Sequence, residues 1–493
     1  MSTQTADTLT ARGNNRSRTP KSSEFRQFIS SNWADAPTPT PDTAEVAAFA
    51  AARRAELGSQ FTGFTLIIGA GAPRVRSNDT DYRFRAHSAF SHLTGWGAQT
   101  VPGAVLVLSP HGQDHSAALY FRAPAGRDTD EFYANSAIGE FWTGPRPGLA
   151  EVGTALDLPT HDISELATAL RPVQGTPVAA ITADDPALAE LVQEIRPHSF
   201  QNEDPDTRLA EAASELRLIK DAYEIAQLQE AVRISIEGFA RVVQELPRAK
   251  AHRRGERIVE GAFFAHAREE GNDLGYDTIA AAGKHACTLH WTDNTGSVRD
   301  GDLLLLDAGV EIESLYTADV TRTLPISGTF TPAQRRVYEA VLEAADAAFK
   351  VAVPGNRFRD VHNAAMAIIA RKVSEWGLLP IPLEETLRPE LQFHRRYMVH
   401  GTSHHLGLDV HDCAQARREL YLDGVITPGM VFTIEPGLYL QPDDLTVPAE
   451  LRGIGVRIED DVLITDTGNV NLTAALPRDP DGVEAWMRTV SIS

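Results

Sequence analysis

Apolar residues along the chain follow two different rhythms. Between about residues 46 and 200, short continuous apolar runs recur at 64–68 (FTLII), 104–108 (AVLVL) and 178–181 (VAAI). Runs of this length bounded by polar text predict strands buried on both faces. Helical stretches such as 44–57 separate them, so this region reads as α/β. From about 210 to 246 the rhythm changes. Ile219, Tyr223, Ala226, Ala231 and Ile234 lie near helical spacing and predict one long amphipathic helix that stops at Pro247. The polar stretch 201–206 (QNEDPD) between the regions suits a linker. Residues 1–45, rich in Ser, Thr, Pro, Asn and Arg, are expected to form a largely disordered arm with order near Phe25 and Trp33.

A faint echo runs through the second region. One unit reads helix, Pro247, helix over 258–270, Gly271; another reads helix over 332–353, Pro354, helix over 358–376, Gly377. The prolines are 107 residues apart and the glycines 106. The second unit opens Thr331-Pro332-Ala333-Gln334, a capping box with proline at the first helical position. A duplicated half-domain predicts a pseudo-two-fold core with a cleft between the halves.

Several apolar strands in this region end in acids. Residues 303–307 (LLLLD) deliver Asp307, and Asp319 follows twelve residues later in TADVTRT. Two strands joined by a short turn bring these aspartates together, where they repel unless a cation neutralises them. The stretch 400–411 (HGTSHHLGLDVH) holds four of the chain's 16 histidines. Residues 430–435 (MVFTIE) deliver Glu435, and 455–461 (GVRIEDD) carry Arg457 and Glu459, which share one face of a strand. Singly, each has an ordinary reading: a strand-end Asp as a turn residue, Glu459 with Arg457 as an ion pair, one histidine as a core group. Three acid-bearing strands around a histidine-rich loop point jointly to a metal site.

Composition narrows the partners. Lys+Arg total 46 against 67 Asp+Glu, for a net charge of -21. That balance repels phosphate backbones and anionic membranes, so neither nucleic acid nor a membrane is an expected partner. Two cysteines, Cys287 and Cys413, make no disulfide framework and fit a reducing compartment. The first residues lack an apolar signal core, so the expected location is cytoplasmic.

At these motifs the chain resembles the creatinase/aminopeptidase P family, with its closest likeness to bacterial aminopeptidase P. The likeness runs from about Thr62 to the C-terminus through TIAAAGKHACTLHW, DGDLLLLDAGVE, ADVTRTLPISGTFT, MVHGTSHHLGLDVHD, PGMVFTIEPGLYL and RGIGVRIEDDVLIT, in that order. YRFRAHSAFSHLTGW and PGAVLVLSP resemble the family's N-terminal domain. The resemblance implies an α+β protein: a creatinase-like α/β domain over 46–205 and a pita-bread catalytic domain with pseudo-two-fold halves over 206–493. It implies five metal ligands. Asp307 chelates one metal, Asp319 and Glu459 bridge both, and His404 and Glu435 complete the other. Substrate or supporting roles fall on His290, His400, His411 and Arg457, and a pocket position on Tyr439. His405, beside His404, is expected at the pocket. One departure stands out: the Asp–Asp spacing is twelve where the family has eleven. Placed in the turn over 311–315, the extra residue lengthens a hairpin tip without moving the strands; within a strand it would flip Asp319 to the wrong face.

The activity so implied is Xaa-Pro aminopeptidase action on peptides with proline at position 2, through a hydroxide activated by two metals. Four carboxylates and one imidazole form an oxygen-rich site that suits Mn²⁺. Glu435 is the expected proton shuttle to the leaving prolyl nitrogen. His290 and His411 are expected at the substrate carbonyl. A homodimer or homotetramer is expected from relatives. Three alternatives share the fold. A prolidase (Xaa-Pro dipeptidase) has the same core and a closed far side. A metal-free creatinase-like amidinohydrolase and an inactive interaction protein both lose ligands, whereas this chain keeps all five.

Overall fold

A computed structural model of the chain describes residues 20, 22–34, 41–78, 80–196 and 204–491. Most of the expected arm, and residues 201–203 of the expected linker, lie outside the described residues. The chain parts into two compact units, Met1–Ala213 and Ser214–Ser493.

In the first unit the apolar runs become strands β1 (Thr65–Gly69), β2 (Val105–His111) and β5 (Val178–Ile181), joined by β3 (Asp114–Phe121) and β4 (Thr160–Asp162). The sheet order is β4-β3-β2-β1-β5. β1 pairs antiparallel with β2, with Leu66 opposite Leu108, and parallel with β5, with Thr65 opposite Val178. One face is filled by Ile67, Val105, Val107 and Val178 against Leu188, Val192 and Ile195 of the helix Pro186–Ile195. Near the start of the described chain, a short helix over Ser23–Ser30 is capped by Ser22, whose hydroxyl accepts from the Phe25 N–H. Phe25 packs edge-on against Tyr133 and Trp33 against Phe132, with Arg127 over the Trp33 ring. Aromatic contact thus orders this part of a polar arm.

The second unit holds the echo as two helix pairs, Ala222–Ala251 with Gly255–Glu270 and Pro332–Val351 with Phe358–Glu375. Each pair accompanies a three-stranded antiparallel sheet. Past a short strand β6 (Asp273–Leu274), the first sheet has β8 (Leu303–Ala308) between β7 (Ile279–Ala282) and β9 (Val320–Pro325). The second has β12 (Asp460–Thr465) between β10 (Val431–Ile434) and β13 (Gly468–Asn471). A further strand, β11 (Gly455–Arg457), pairs with Gly437–Tyr439. The halves meet along a seam. The Glu459 N–H donates to Thr321 O at 3.1 Å, and Arg457 exchanges backbone bonds with the Thr323 hydroxyl. This is the pita-bread arrangement that the motifs imply.

Two helix boundaries differ from expectation. The single helix expected over 210–246 is two, Pro205–Leu216 and Ala222–Ala251. Between them the chain turns so that Lys220 N–H donates to Gly429 O at 2.8 Å, and Asp221 with Glu224 forms a capping box for the next helix. Pro247 lies inside that helix instead of ending it. Proline keeps a helical φ and removes only one N–H, and the last turn beyond it buries Ala249.

Candidate metal centre

Strand β8 is buried along its whole length and delivers Asp307 near its end, opposite Thr321 of β9. The hairpin tip folds at 312–316, with Leu315 at φ 71° and the Ile312 N–H donating to Tyr316 O. Pairing resumes with Ala308 opposite Val320, so the twelve-residue spacing leaves Asp319 at the mouth of β9. Asp319 Oδ2 lies 3.2 Å from His404 Nε2, and Glu435 Oε1 lies 3.6 Å from the same nitrogen. Glu435 follows β10, and its N–H donates to Thr402 O at 2.9 Å, fixing the histidine loop to that strand. Glu459 comes from the seam, where its Oε2 accepts from the Thr321 hydroxyl at 2.6 Å. Asp319, His404 and Glu459 each offer a donor atom, all within 4.8 Å of one another.

The charges in this cluster oppose each other. Burial, then repulsion from Asp319, Glu435 and Asp307, pushes Glu459 well above the carboxylate range. Burial raises Glu435 to about 7, against the pull of His404. Asp307 is also raised, by burial first, although Arg457 Nη2 lies 2.5 Å from its Oδ2. Burial opposes a charge on His404, but Asp319 and Glu435 overcome it and hold the imidazole at about 9. Four carboxylates, three of them buried, and an imidazole around one small volume are the donor chemistry of hard divalent cations, which reverse this repulsion. The residues present therefore fit divalent ions.

A hydrogen-bonded line leads away from the cluster. His400 Nε2 lies 2.7 Å from Tyr439 Oη, which accepts from Arg457 Nη1 at 3.0 Å, and Arg457 in turn holds Asp307. Burial and then Arg457 lower His400 to about 3, and burial raises Tyr439 to about 12, so both rings are neutral. The His411 ring stands edge-on to His404 with centroids 4.4 Å apart. Burial lowers the His411 pKa, with His404 and His290 adding to the effect, and His290 also acts on His400. The structure therefore brings Asp307, Asp319, His404, Glu435, Glu459, His400, His411, His290, Arg457 and Tyr439 to one place.

His405 is the exception. It has no exposed surface, and its ring stacks on Phe358 at 4.6 Å and meets Tyr421 and Phe432 edge-on. Alternation along the extended segment turns it away from its neighbour His404, into an aromatic core rather than the expected pocket.

Three further groups touch the cluster. The Tyr276 hydroxyl donates to Asp307 Oδ1 at 2.7 Å. Thr321 links Arg457 Nε to Glu459. Asp461, fully buried, accepts from the Asp319 N–H through Oδ2. Asp461 was within sequence reach, as the second acid after Glu459 on the same face of the chain. Tyr276 carried no motif signal.

Comparisons with known proteins show the family. Residues 226–466 match the model of metallopeptidase family M24, and residues 50–177 match the aminopeptidase P N-terminal domain. The chain is 49% identical over 467 residues to Xaa-Pro aminopeptidase 1 of Streptomyces coelicolor, covering 94% of this chain and 92% of that protein. The chain belongs to the Xaa-Pro aminopeptidases of family M24. A more distant member, the Xaa-Pro aminopeptidase of Escherichia coli, is 32% identical over 88% of this chain and 96% of its own length. A solved low-pH form of E. coli aminopeptidase P superposes with a TM-score of 0.77 at 31% identity, covering 91% of this chain and 99% of that one. A zinc-substituted form of that enzyme with product gives a TM-score of 0.76. As an M24 peptidase the protein is a metal-dependent hydrolase that uses divalent ions. Among the described residues, no helix is long and apolar enough to cross a membrane.

Proposed function

We propose that this chain removes the N-terminal residue from peptides whose second residue is proline. The observation that carries the reading is the convergence of Asp319, His404 and Glu459 within 4.8 Å. Asp307 and Glu435 complete the set of five. In this reading Asp307 would serve one ion, His404 and Glu435 the other, and Asp319 and Glu459 both. Two divalent ions held there would supply an activated water and polarise the scissile carbonyl. Oxygen donors with a single imidazole favour Mn²⁺.

The chain's own groups do the rest. Glu435 moves a proton to the prolyl nitrogen, which is tertiary in the peptide and leaves only when protonated. His290 and His411 hold the substrate carbonyl from the open side of the cluster. Arg457, fixed by Tyr439 and Thr321, keeps Asp307 in its orientation. His400, neutral and hydrogen-bonded to Tyr439, lines the place where the proline ring lies.

Two buried, unbridged cysteines fit action in a reducing cytoplasm. Self-association into a homodimer or homotetramer follows the expectation from relatives, and light scattering measures it. The deciding assay supplies the purified protein with Mn²⁺ and either Arg-Pro-Pro or Arg-Pro. Release of arginine from the tripeptide supports the reading. Cleavage of the dipeptide alone replaces it with a prolidase, and cleavage of neither removes it.

A further inference from the structure

Besides the metal ligands, the second unit buries a carboxylate that the chemistry above leaves unused. Glu256 sits in the first turn of the helix Gly255–Glu270 and has no exposed surface. Its side chain accepts four hydrogen bonds, two on each oxygen. Oε1 accepts from Ala282 N at 2.8 Å and His285 Nδ1 at 2.7 Å. Oε2 accepts from Trp291 Nε1 at 2.9 Å and Gly296 N at 2.5 Å. The four donors run from the last residue of β7 through the stretch that precedes β8, and they bracket His290 on both sides.

The surroundings tighten this grip. Rings of His285 and Trp291 stack with centroids 4.0 Å apart. A Cβ at Gly296 would stand 2.7 Å from the Glu256 carboxyl, so only glycine lets the backbone come this close. Glu256 N–H donates to Gly296 O at 3.1 Å. Asn294, with φ 47°, ties the same stretch to β7 and its approach by accepting from Ala280 N and donating to Thr278 O. Burying a carboxylate is a poor way to gain stability, because an apolar side chain of similar size serves as well or better. A carboxylate with every lone pair used fixes geometry instead: it sets the distance between two turns of an otherwise irregular segment. His290, exposed on that segment, lies near enough to His400 and His411 to act on both rings electrostatically.

We infer that Glu256 is a positioning residue for catalysis: its four-bond clamp on residues 282–296 holds His290 at the substrate. The inference rests on the role given to His290 above. Glu256 touches neither substrate nor metal, so its effect must travel through the clamped segment.

The test is a double-mutant cycle with Glu256→Gln and His290→Ala, assayed on Arg-Pro-Pro with Mn²⁺. Glu256→Gln replaces one acceptor oxygen by an amide that faces donors. It is expected to lower kcat by roughly 10–100-fold, the range seen when a supporting hydrogen-bond partner is lost. KM and bound Mn²⁺ per chain should stay within about two-fold, because no ligand moves. In the His290→Ala background the same change should cost less than about three-fold, since the group it positions is gone. An equal cost in both backgrounds, or no cost in either, overturns the inference while leaving the metallopeptidase reading intact. A His290→Ala enzyme at the wild-type rate overturns the role of His290 itself, and the inference with it. Should Glu256→Gln fail to fold, Trp291→Phe removes a single donor from the clamp. A loss of several-fold that vanishes in the His290→Ala background supports the positioning role, and a loss that persists there refutes it.

Discussion

Asp319 illustrates how little a single residue decides by itself. At the mouth of a strand it has the makings of a turn residue, and only His404 at 3.2 Å and Glu459 nearby make it a candidate ligand. Asp319→Ala is expected to reduce kcat/KM by more than about 10³-fold, since metal assistance contributes several kcal/mol at about 1.4 kcal/mol per decade. Metal content by atomic emission should fall with it; an active, fully loaded variant would sink the assignment. A second residue-scale expectation concerns His362. Its Nδ1 accepts from the Thr402 N–H at 3.2 Å, and burial, then Arg395 and His394, lower its pKa from 6.5 to about 4. Between those values the unfolded chain binds a proton that the folded chain refuses. Stability contributed by the neutral ring is whole above pH 6.5 and declines as pH falls towards 4. Thermal melts across this range should show a shallower acid slope for His362→Asn, which keeps an acceptor for Thr402. Four of the five candidate ligands were marked locally, Asp307, Glu435 and Glu459 by apolar strands and His404 by the histidine-rich motif, while Asp319 was singled out by its spacing from Asp307 and by the family resemblance. Tyr276, Thr321 and Glu256 were not, because their partners are distant in sequence and nothing local marks them. His405 was misplaced because adjacency to His404 says nothing about which way a ring turns.

At the level of elements, the break between the helices Pro205–Leu216 and Ala222–Ala251 explains more than the helices do. It sets Arg217 and Lys220 against Asp412, with Nε at 2.8 Å and Nζ at 3.2 Å. Burial opposes the Asp412 charge, but these two cations outweigh it and hold the carboxyl far below its usual range. The anchored loop is the one that carries His404 and His411, and the Asp412 N–H also donates to His405 O. Asp412→Ala takes from Arg217 and Lys220 the buried carboxylate they share and should cost about 3–5 kcal/mol in urea unfolding. A cost below about 1 kcal/mol would show that the loop is held by other means. By contrast, Asp221→Ala removes a helix cap and should cost about 1 kcal/mol. The continuous apolar spacing across 210–246 hid this break, since Ile219 keeps the helical rhythm through it. The buried strands at 64–68, 104–108 and 178–181 were readable to within a residue or two at their starts, because uninterrupted apolar runs of that length have few other uses.

Across the whole molecule, divalent ions should act as part of the fold. Ligand binding stabilises the folded state by about 2.7 kcal/mol at a hundred times Kd. Chelation is therefore expected to lower the melting temperature by several degrees, and Mn²⁺ to restore it, while Asp319→Ala melts at the same temperature with or without chelator. The seam between the halves has a further consequence. Arg322, wholly buried in β9, donates to Glu459 O at 2.6 Å and pairs with Asp460 across that seam. Asp307 and Asp319 lie on one side of it, and His404, Glu435 and Glu459 on the other. Neither side alone owns all five candidate ligands, and among the described residues the exposed turn at Ser327 and Thr329 is where the chain passes from one side to the other. A protease nick in that turn should leave a working enzyme of two fragments, which part in denaturant and regain activity only when mixed again.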